Sequence, residues 1–283
     1  MAMARRLGPA LLGVGVLGYW MIQAPIPTAV IFGLTAGFVV VERLTGTAHR
    51  AGMLDDLAHL TITTLLVRLT GIELLMAAFQ DLRGGWTIAE LPLLPRVVIV
   101  VVVFDLVGYL HHRLMHESPL LWPVHRVHHA IEQVDVMVKA RRHPIDDVLL
   151  LVFFGAAGFG LGVDTTSLFV VGAVATLHGM VVHSDIIVRP TVFDRLFVTP
   201  WVHHRHHGVL GQTGDFGGLL TVWDRAFGTL GAGAPSPAGA GDDELVGDWV
   251  DQMLHPVRDA DRRRLRPPVT TGIQGPVVTV GGR

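Results

Sequence analysis

Three short histidine-rich runs carry the side chains in this sequence that are best suited to chemistry. The runs are His112-Arg-Leu-Met-His116, His125-Arg-Val-His128-His129 and His203-His204-Arg-His206-His207. In a helix, residues three and four apart are neighbours on one face, so each run can present its imidazoles as a cluster. The runs contain nine histidines, eight of them without His204; eight imidazoles are too many for one tetrahedral metal ion and suit two metal ions that keep open positions.

Two of the runs contain a histidine that competes with a predicted ligand. His112 lies four residues before His116 on one helical face, whereas His111 points about 100° away. In the third run, His203 takes the position that matches the first histidine of the second run, which leaves His204 as the additional residue. We therefore predict His112 and His203 as ligands, and His111 and His204 as surface residues or neighbours of the ligands.

Composition restricts both the ligand chemistry and the class of protein. The 283 residues include no cysteine, which excludes disulfides, thiolate metal sites and cysteine-based catalysis. A net charge of −2 offers no basic field for nucleic acid. Half of the residues are hydrophobic, mean hydropathy is +0.49 and only 16% are charged, below the usual level for soluble proteins. We predict a membrane protein whose metal ligands are nitrogen or oxygen.

The apolar stretches predict an all-α integral membrane protein, since about 17–25 apolar residues in helix cross the hydrocarbon core. Predicted spans are about residues 7–23, 26–42, 57–79 and 96–111, followed by a short membrane hairpin of about 147–163 and 165–182. A shallow re-entrant pair is the alternative for the hairpin. The first span follows Arg5 and Arg6 without a small-residue cleavage site, which favours a retained segment over a signal peptide.

Arginine placement predicts the orientation. Arg5, Arg6, Arg43 and Arg50 favour the cytoplasmic side for the loops that carry them. Four crossings then return the chain to the cytoplasm at His111, and the hairpin returns it to the same side. We predict a multi-pass protein of a bacterial cell membrane, with a histidine-rich, metal-binding helical cap on the cytoplasmic side.

The chain divides into three predicted segments. Residues 1–96 form N-terminal membrane helices, residues 97–230 form the histidine-box region, and residues 231–283 form a Gly/Pro/Ala linker and a polar tail. The composition of the tail predicts a solvated, partly disordered segment. Attraction of Arg262-Arg263-Arg264 to a membrane surface is the minor alternative.

Asp105 is a candidate because a carboxylate at membrane depth is costly without a function. It lies seven residues before His112, on nearly the same helical face. We predict that it accepts the N–H of a ligand histidine, which would orient that ring. A salt bridge to Arg113 or Arg68 is an equally weighted alternative.

Three further histidines are possible ligands. His143 precedes Pro144, so it either binds metal or caps the helix that begins there. His178 and His183 lie five residues apart, so only one of them needs to face the metal ions. His183 is the better candidate, because it lies nearer the aqueous boundary.

With these residues in view, the sequence resembles the fatty acid hydroxylase / sterol desaturase superfamily, the membrane histidine-box di-iron oxygenases. The matching segments are Tyr109 to His116, Leu121-Trp122, the Arg-x-His-Pro-x-Asp segment that ends at Asp146, His183-Ser184-Asp185, Thr199-Pro200 and Gly217 to Thr229. The resemblance implies an α-helical membrane fold with a cytoplasmic cap, two non-haem iron ions and O2-dependent oxidation of lipid C–H bonds. The implied ligands are His112, His116, His125, His128, His129, His203, His206 and His207, together with His183.

Two positions depart from that superfamily's pattern. Asp185 and Asp215 stand where the superfamily often has asparagine. If such an asparagine holds a metal-bound water, an aspartate there could become an oxygen ligand or change the charge at the metal. Both are therefore candidate site residues.

The expected reaction is hydroxylation of a fatty acyl, sterol or isoprenoid chain, with desaturation as the alternative from the same site. Only a redox metal can reduce O2, and no flavin, haem or iron–sulfur signature is present. We therefore expect an external donor, a ferredoxin or cytochrome with its reductase. An intramembrane zinc protease is excluded because Leu120 breaks the HExxH pattern begun by His116-Glu117. A membrane metal transporter or sensor remains the non-enzyme alternative.

Overall fold

The computed structural model describes residues 25–45, 53–69, 87–187, 192–208, 214–235 and 249–263. Within these ranges the α-helices are α1 Pro25–Thr45, α2 Met53–Leu69, α3 Leu93–Glu117, α4 Trp122–His129, α5 Pro144–Leu161, α6 Thr165–His183, α7 Pro200–His207, α8 Val222–Ala226 and α9 Trp249–Arg263. Short 3-10 helices are Ile88–Glu90, Val136–Ala140 and Val192–Arg195. The described ranges contain no strand beyond an isolated bridge between Phe197 and Leu220, so the all-α prediction is confirmed there.

Three of the described helices are long and apolar enough to cross a membrane. They are α3, α5 and the segment Thr166–His183 of α6. The predicted span 7–23 and the end of the predicted span 57–79 lie outside the described residues, so the number of crossings stays a prediction. The two arms predicted as a short hairpin are each long enough to span the membrane separately.

Local signals set the ends of α5 and α6. The side chain of His143 accepts a hydrogen bond from the backbone N–H of Ile145, so the predicted capping role of this histidine is confirmed. Gly162 adopts the left-handed conformation, with φ of 63°, which ends α5 at little steric cost. Asp164 then begins α6 by accepting the backbone N–H of Ser167.

Both α5 and α6 pack against α3, and they make at most marginal contact with each other. Phe104 of α3 stacks on Phe154 of α5, with ring centroids 5.0 Å apart. Val100 and Phe104 of α3 form a core cluster with Val163 and Val171, which flank the start of α6. The two helices of the predicted hairpin therefore follow each other through a short turn but diverge, and they leave space between them.

The short helices α4 and α7, which carry the second and third histidine runs, lie at one end of the long helices. Helix α4 contacts α3 and α5, while α7 contacts α6. Each begins with a proline in its first turn, Pro123 and Pro200, where the missing N–H costs no hydrogen bond. These contacts bring all three runs to the same end of the bundle.

The C-terminal helix α9 corrects the prediction of a solvated tail. It packs against α4 and α2. His59 Nε2 of α2 lies 2.6 Å from Gln252 Oε1, and His143 Nε2 lies 3.1 Å from the carbonyl oxygen of Met253. Composition did not predict this packed helix, because its buried residues are few and polar.

Candidate metal centre

The structure gathers all nine histidines predicted as ligands into two adjoining groups. The first group is His112, His116, His125, His129 and His206, and the second is His128, His183, His203 and His207. Within each group, one nitrogen from every ring lies within 4.8 Å of the others. The groups adjoin where the rings of His129 and His207 stack, with centroids 4.5 Å apart.

The first group draws on three helices. His116 of α3 lies 4.8 Å from His125 of α4 and 4.7 Å from His206 of α7, measured between ring centroids. The Nε2 atoms of His125, His129 and His206 are buried without a hydrogen-bond partner among the described residues. Buried polar atoms are normally satisfied, so orphaned nitrogens that face each other point to a ligand between them.

The short distances between ring nitrogens of the second group also point to a ligand between them. Nε2 of His183 lies 3.3 Å from Nε2 of His128 and 2.9 Å from Nε2 of His203. Nε2 of His203 lies 3.1 Å from Nε2 of His207. Four ring nitrogens therefore converge on one another in a chain of short contacts.

Outward hydrogen bonds fix the orientation of five of the nine rings through Nδ1. His112 bonds to the carbonyl oxygen of Phe216, His128 to that of Arg141, His183 to that of Gly179 and His206 to that of Gly214. His125 bonds to a carboxylate oxygen of Asp146. The five distances are 2.7–3.1 Å. These oxygens only accept, so each Nδ1 carries the proton and each Nε2 offers its lone pair inward. Such outer partners orient metal-ligating histidines and raise their basicity.

The pair His128 and His183 makes the fit to metal explicit. Both donate Nδ1–H to backbone carbonyls, so two Nε2 lone pairs face each other across 3.3 Å. Such an arrangement is repulsive unless a cation lies between the lone pairs. The residues therefore fit metal ions bound by imidazole nitrogen.

Burial keeps the imidazoles outside the long helices neutral. It is the largest cause that lowers the pKa of His128, His129, His203 and His207 well below the usual value. Burial also lowers the pKa of His206 to about 4. Neutral imidazole is the form that binds metal, so these side chains are ready to act as ligands near neutral pH.

Comparison with known proteins agrees with this geometry: residues 97–229 match the model of the family described as fatty acid hydroxylase. Over these residues the chain is similar to the fatty acid hydroxylase family. The matched range contains all nine clustered histidines. No solved structure gives a significant match.

Several curated proteins are similar to parts of the chain. Ornithine lipid hydroxylase OlsE from Rhizobium tropici is 30% identical over 141 residues, which cover 49% of this chain and 43% of that protein. Alkylglycerol monooxygenase from Caenorhabditis elegans is 29% identical over 206 residues, 70% of this chain and 40% of that protein. The human alkylglycerol monooxygenase is 25% identical over 133 residues, which cover 44% of this chain and 28% of that protein. The chain thus spans less than half the length of each relative.

Asp146 is the functional residue of this family region that sequence reasoning missed. Its fully buried carboxylate accepts Nδ1–H of His125 at 2.8 Å and pairs with Arg142 at 2.8 Å. It also lies 3.5 Å from Nε2 of His111. The Arg-x-His-Pro-x-Asp segment contained the signal, because Arg142 lies just before the start of α5 and Asp146 lies four residues later, in its first turn.

Asp105 does not take the role predicted for it. Its carboxylate accepts the backbone N–H groups of Leu219 and Leu220 at 2.7 and 3.0 Å, and Nε1–H of Trp223 at 2.9 Å. It contacts no clustered histidine, and Arg113 pairs with Glu117 instead, while the side chain of Arg68 lies outside the described residues. A carboxylate suits this place because it offers several acceptor positions to the segment 216–220.

That segment supplies the carbonyl of Phe216, which accepts from His112. We expect Asp105→Ala to loosen the segment and lower metal affinity about tenfold through the loss of this outer partner. A competitive metal titration against a chelator measures the change. Asp251→Ala, at an exposed ion pair on α9, is the matched control, and unchanged affinity in Asp105→Ala would contradict this role.

The two family departures also lie outside both histidine groups. Asp215 adopts a φ of 59°, and both of its oxygens pair with Arg205 at 2.7 Å. The backbone N–H of Asp185 donates to Glu42 Oε1 at 2.7 Å. The carboxylate of Asp215 is thus tied to Arg205, and the suggestion that either aspartate supplies an oxygen ligand or changes the charge at the metal stays a prediction.

The predictions for the remaining histidines have different outcomes. His143 and His178 belong to neither group; His143 caps α5 and His178 lies in the wall of a cavity. His111 and His204 are both buried, so the prediction of surface positions is wrong. His111 is a neighbour of the ligands through Asp146, as the alternative prediction had it.

A cavity of about 700 Å³ opens where α5 and α6 diverge from each other along α3. Histidines of both groups line one end of it, among them His112 and His183. Its remaining wall is mostly apolar and includes Phe154, Leu168 and Val171. The cavity therefore joins the histidine groups to an apolar space between the long helices.

Proposed function

We propose that the protein is an O2-dependent di-iron hydroxylase that acts on C–H bonds in a hydrocarbon chain of a membrane lipid. The observation that carries the proposal is the cavity, because it joins two groups of inward-facing imidazoles to an apolar space between long apolar helices. Similarity to the fatty acid hydroxylase family and to lipid hydroxylases supports the same reaction class.

The two histidine groups would each hold one iron ion. Imidazole suits iron, zinc and copper alike, so the choice of iron rests on the reaction rather than on the ligands. Bound iron would activate O2 for attack on an unactivated C–H bond, chemistry that no side chain of this sequence can supply. Because each group offers at most five imidazoles, a bound ion would keep room for O2 or water.

The chain itself positions and shields the substrate. Outward hydrogen bonds hold the imidazoles in place before any ligand binds, so little reorganisation is needed. The apolar walls exclude water from the end of the cavity that the histidines line. The proposal includes an external ferredoxin or cytochrome with its reductase as electron donor, and it places the metal ions on the cytoplasmic side.

Gly172 of α6 tests the role of the cavity. It lines the space, and a Cβ built there would meet no atom within 4 Å. We expect Gly172→Leu to fill part of the cavity and lower turnover of a long-chain lipid about tenfold or more, with metal content unchanged. The measurement is the rate with lipids of increasing chain length, which should fall most for the longest chains.

Gly160→Leu is the control, because Gly160 is an exposed helical glycine on α5 that also meets no atom within 4 Å of a Cβ and does not line the cavity. Equal losses in both variants, or no loss in either, would contradict a substrate role for the cavity.

The reaction is tested with iron-loaded protein in lipid nanodiscs, a ferredoxin with its reductase and isotopically labelled O2. Hydroxylated lipid that carries the label is the expected product by mass spectrometry. Formation of an alkene without label would show that the reaction is desaturation and not hydroxylation. Retained metal with no O2 consumption would favour the metal transporter or sensor.

A further inference from the structure

The wall of the cavity contains Lys139, the only lysine in the sequence. It belongs to the 3-10 helix Val136–Ala140, which packs against α6. Its Nζ donates to the carbonyl oxygen of Thr176 at 2.7 Å. The ammonium group therefore lies beside α6, inside a space that is otherwise mostly apolar.

Helix α6 has a glycine, Gly179, at the point where the side chain of Lys139 passes it. A Cβ added to Gly179 would come within 2.7 Å of Lys139 Cε and 3.1 Å of Nζ. Any larger residue at position 179 would displace the lysine stem from α6. Glycine at this turn thus gives room for a charged side chain to reach the cavity wall.

The other charged groups of the wall are already compensated. Arg142 pairs with Asp146 and Asp147, each at 2.8 Å. The carboxylate of Asp105 accepts three hydrogen bonds. Lys139 has no carboxylate within ion-pair distance among the described residues, and the negative charge of Asp147, which pairs with Arg142, compensates its charge only at longer range.

Burial is the main reason that the pKa of Lys139 falls to about 7; the positive charge of Arg142 lowers it further, and the negative charge of Asp147 opposes the fall. Lys139 lies outside the long apolar helices, on the segment between α4 and α5. A bound anion would favour the charged form and offset the cost of burying it.

We propose that the Lys139 ammonium binds an anionic oxygen, a carboxylate or a phosphate, at the polar end of a lipid whose hydrocarbon chain occupies the cavity. This inference rests on the proposed function, because it names the class of lipid that the same cavity accepts. Thr176 and His183 are seven residues apart on α6, a rise of about 10 Å. The oxidised carbon would therefore lie in the part of the chain near the polar end.

The test is a binding measurement on the full-length, metal-loaded protein in nanodiscs without O2, so that no turnover occurs. The probes are a fatty acid, an alkyl phosphate and a fatty alcohol of one chain length. We expect at least one anionic probe to bind about tenfold or more tighter than the alcohol, the scale of a buried charge-assisted hydrogen bond. The tighter of the two anions identifies the polar group.

Three variants complete the experiment. Lys139→Met should remove the preference for the anion, and Lys139→Arg should keep it. Arg258→Met, at an exposed arginine of α9 that pairs with Asp251, should also keep it. Equal binding of acid, phosphate and alcohol by the natural protein would overturn the proposal without any variant.

A full preference in Lys139→Met, or its loss in a metal-loaded Lys139→Arg, would overturn the proposal as well. Failure of the proposed hydroxylation has a separate sign: the anion preference and its loss in Lys139→Met would persist, while labelled O2 would not enter the lipid.

Discussion

Replacing His206 with alanine is expected to remove one metal ion per chain, and replacing His203 is expected to remove the other. The two residues lie on the same short helix, α7, but belong to different histidine groups. Each group would lose one of its few nitrogen ligands and leave the remaining lone pairs without a shared cation. The proposed di-iron reaction requires both ions, so turnover should fall by more than about a hundredfold in either variant, beyond the usual effect of losing an outer partner.

Elemental analysis of the purified variants measures the metal content, and product formation measures turnover. His255→Ala is the matched control, because His255 of α9 lies in neither group. A full metal complement in both ligand variants would contradict the assignment of the ligands. Loss of only one ion in each variant would distinguish two sites from one shared site.

Asp146→Asn is expected to have the second-largest effect. The carboxylate accepts from His125 and pairs with Arg142, and it has no exposed surface. Asparagine keeps the shape but removes the charge, and its NH2 group would face a donor on one side. Metal affinity at the first group should fall about 10- to 100-fold, as for other outer partners of metal-ligating histidines.

Thermal stability should fall in the same variant, because Arg142 loses one of its two carboxylate partners inside the protein. Metal titration and thermal unfolding measure the two effects. Asp251→Asn, at an exposed pair with Arg258, provides the control for removal of one aspartate charge. Natural metal affinity in Asp146→Asn would show that His125 needs no carboxylate.

The clustered histidines were predictable because their information is local. Spacings of three and four residues place His125, His128 and His129 near one another on a short helix whatever surrounds it. His183 required the resemblance to a family in addition, because a single histidine at a helix end has no pattern of its own. Preference for His112 over His111 followed from the helical angle, and the structure places His112 in the first group.

The outer partners could not be read from the sequence, because they depend on tertiary packing. Asp105 lies on the same helix as His112, which made direct contact plausible, yet its carboxylate faces the segment 216–220 more than a hundred positions later. Four of the five outward histidine bonds end on backbone carbonyls. Every residue has a backbone carbonyl, so residue type does not predict which carbonyls accept these hydrogen bonds.

The shape of the cavity and the packing of the C-terminal helix could not be read from the sequence, for related reasons. Sequence analysis predicted α5 and α6 as a short membrane hairpin, because each stretch is apolar and a short turn joins them. Their divergence depends on how both pack against α3, through contacts such as Phe104 on Phe154. Helix α9 has a polar composition that predicts solvation, but Gln252 is buried at His59.

The most direct test of a two-metal site is iron content together with the Mössbauer spectrum of the detergent-purified, iron-loaded protein, before and after exposure to O2. We predict two iron ions per chain, one for each histidine group, with magnetic coupling between them and oxidation of both by O2. A single iron ion, or a tightly held zinc ion that iron does not replace, would contradict the di-iron proposal.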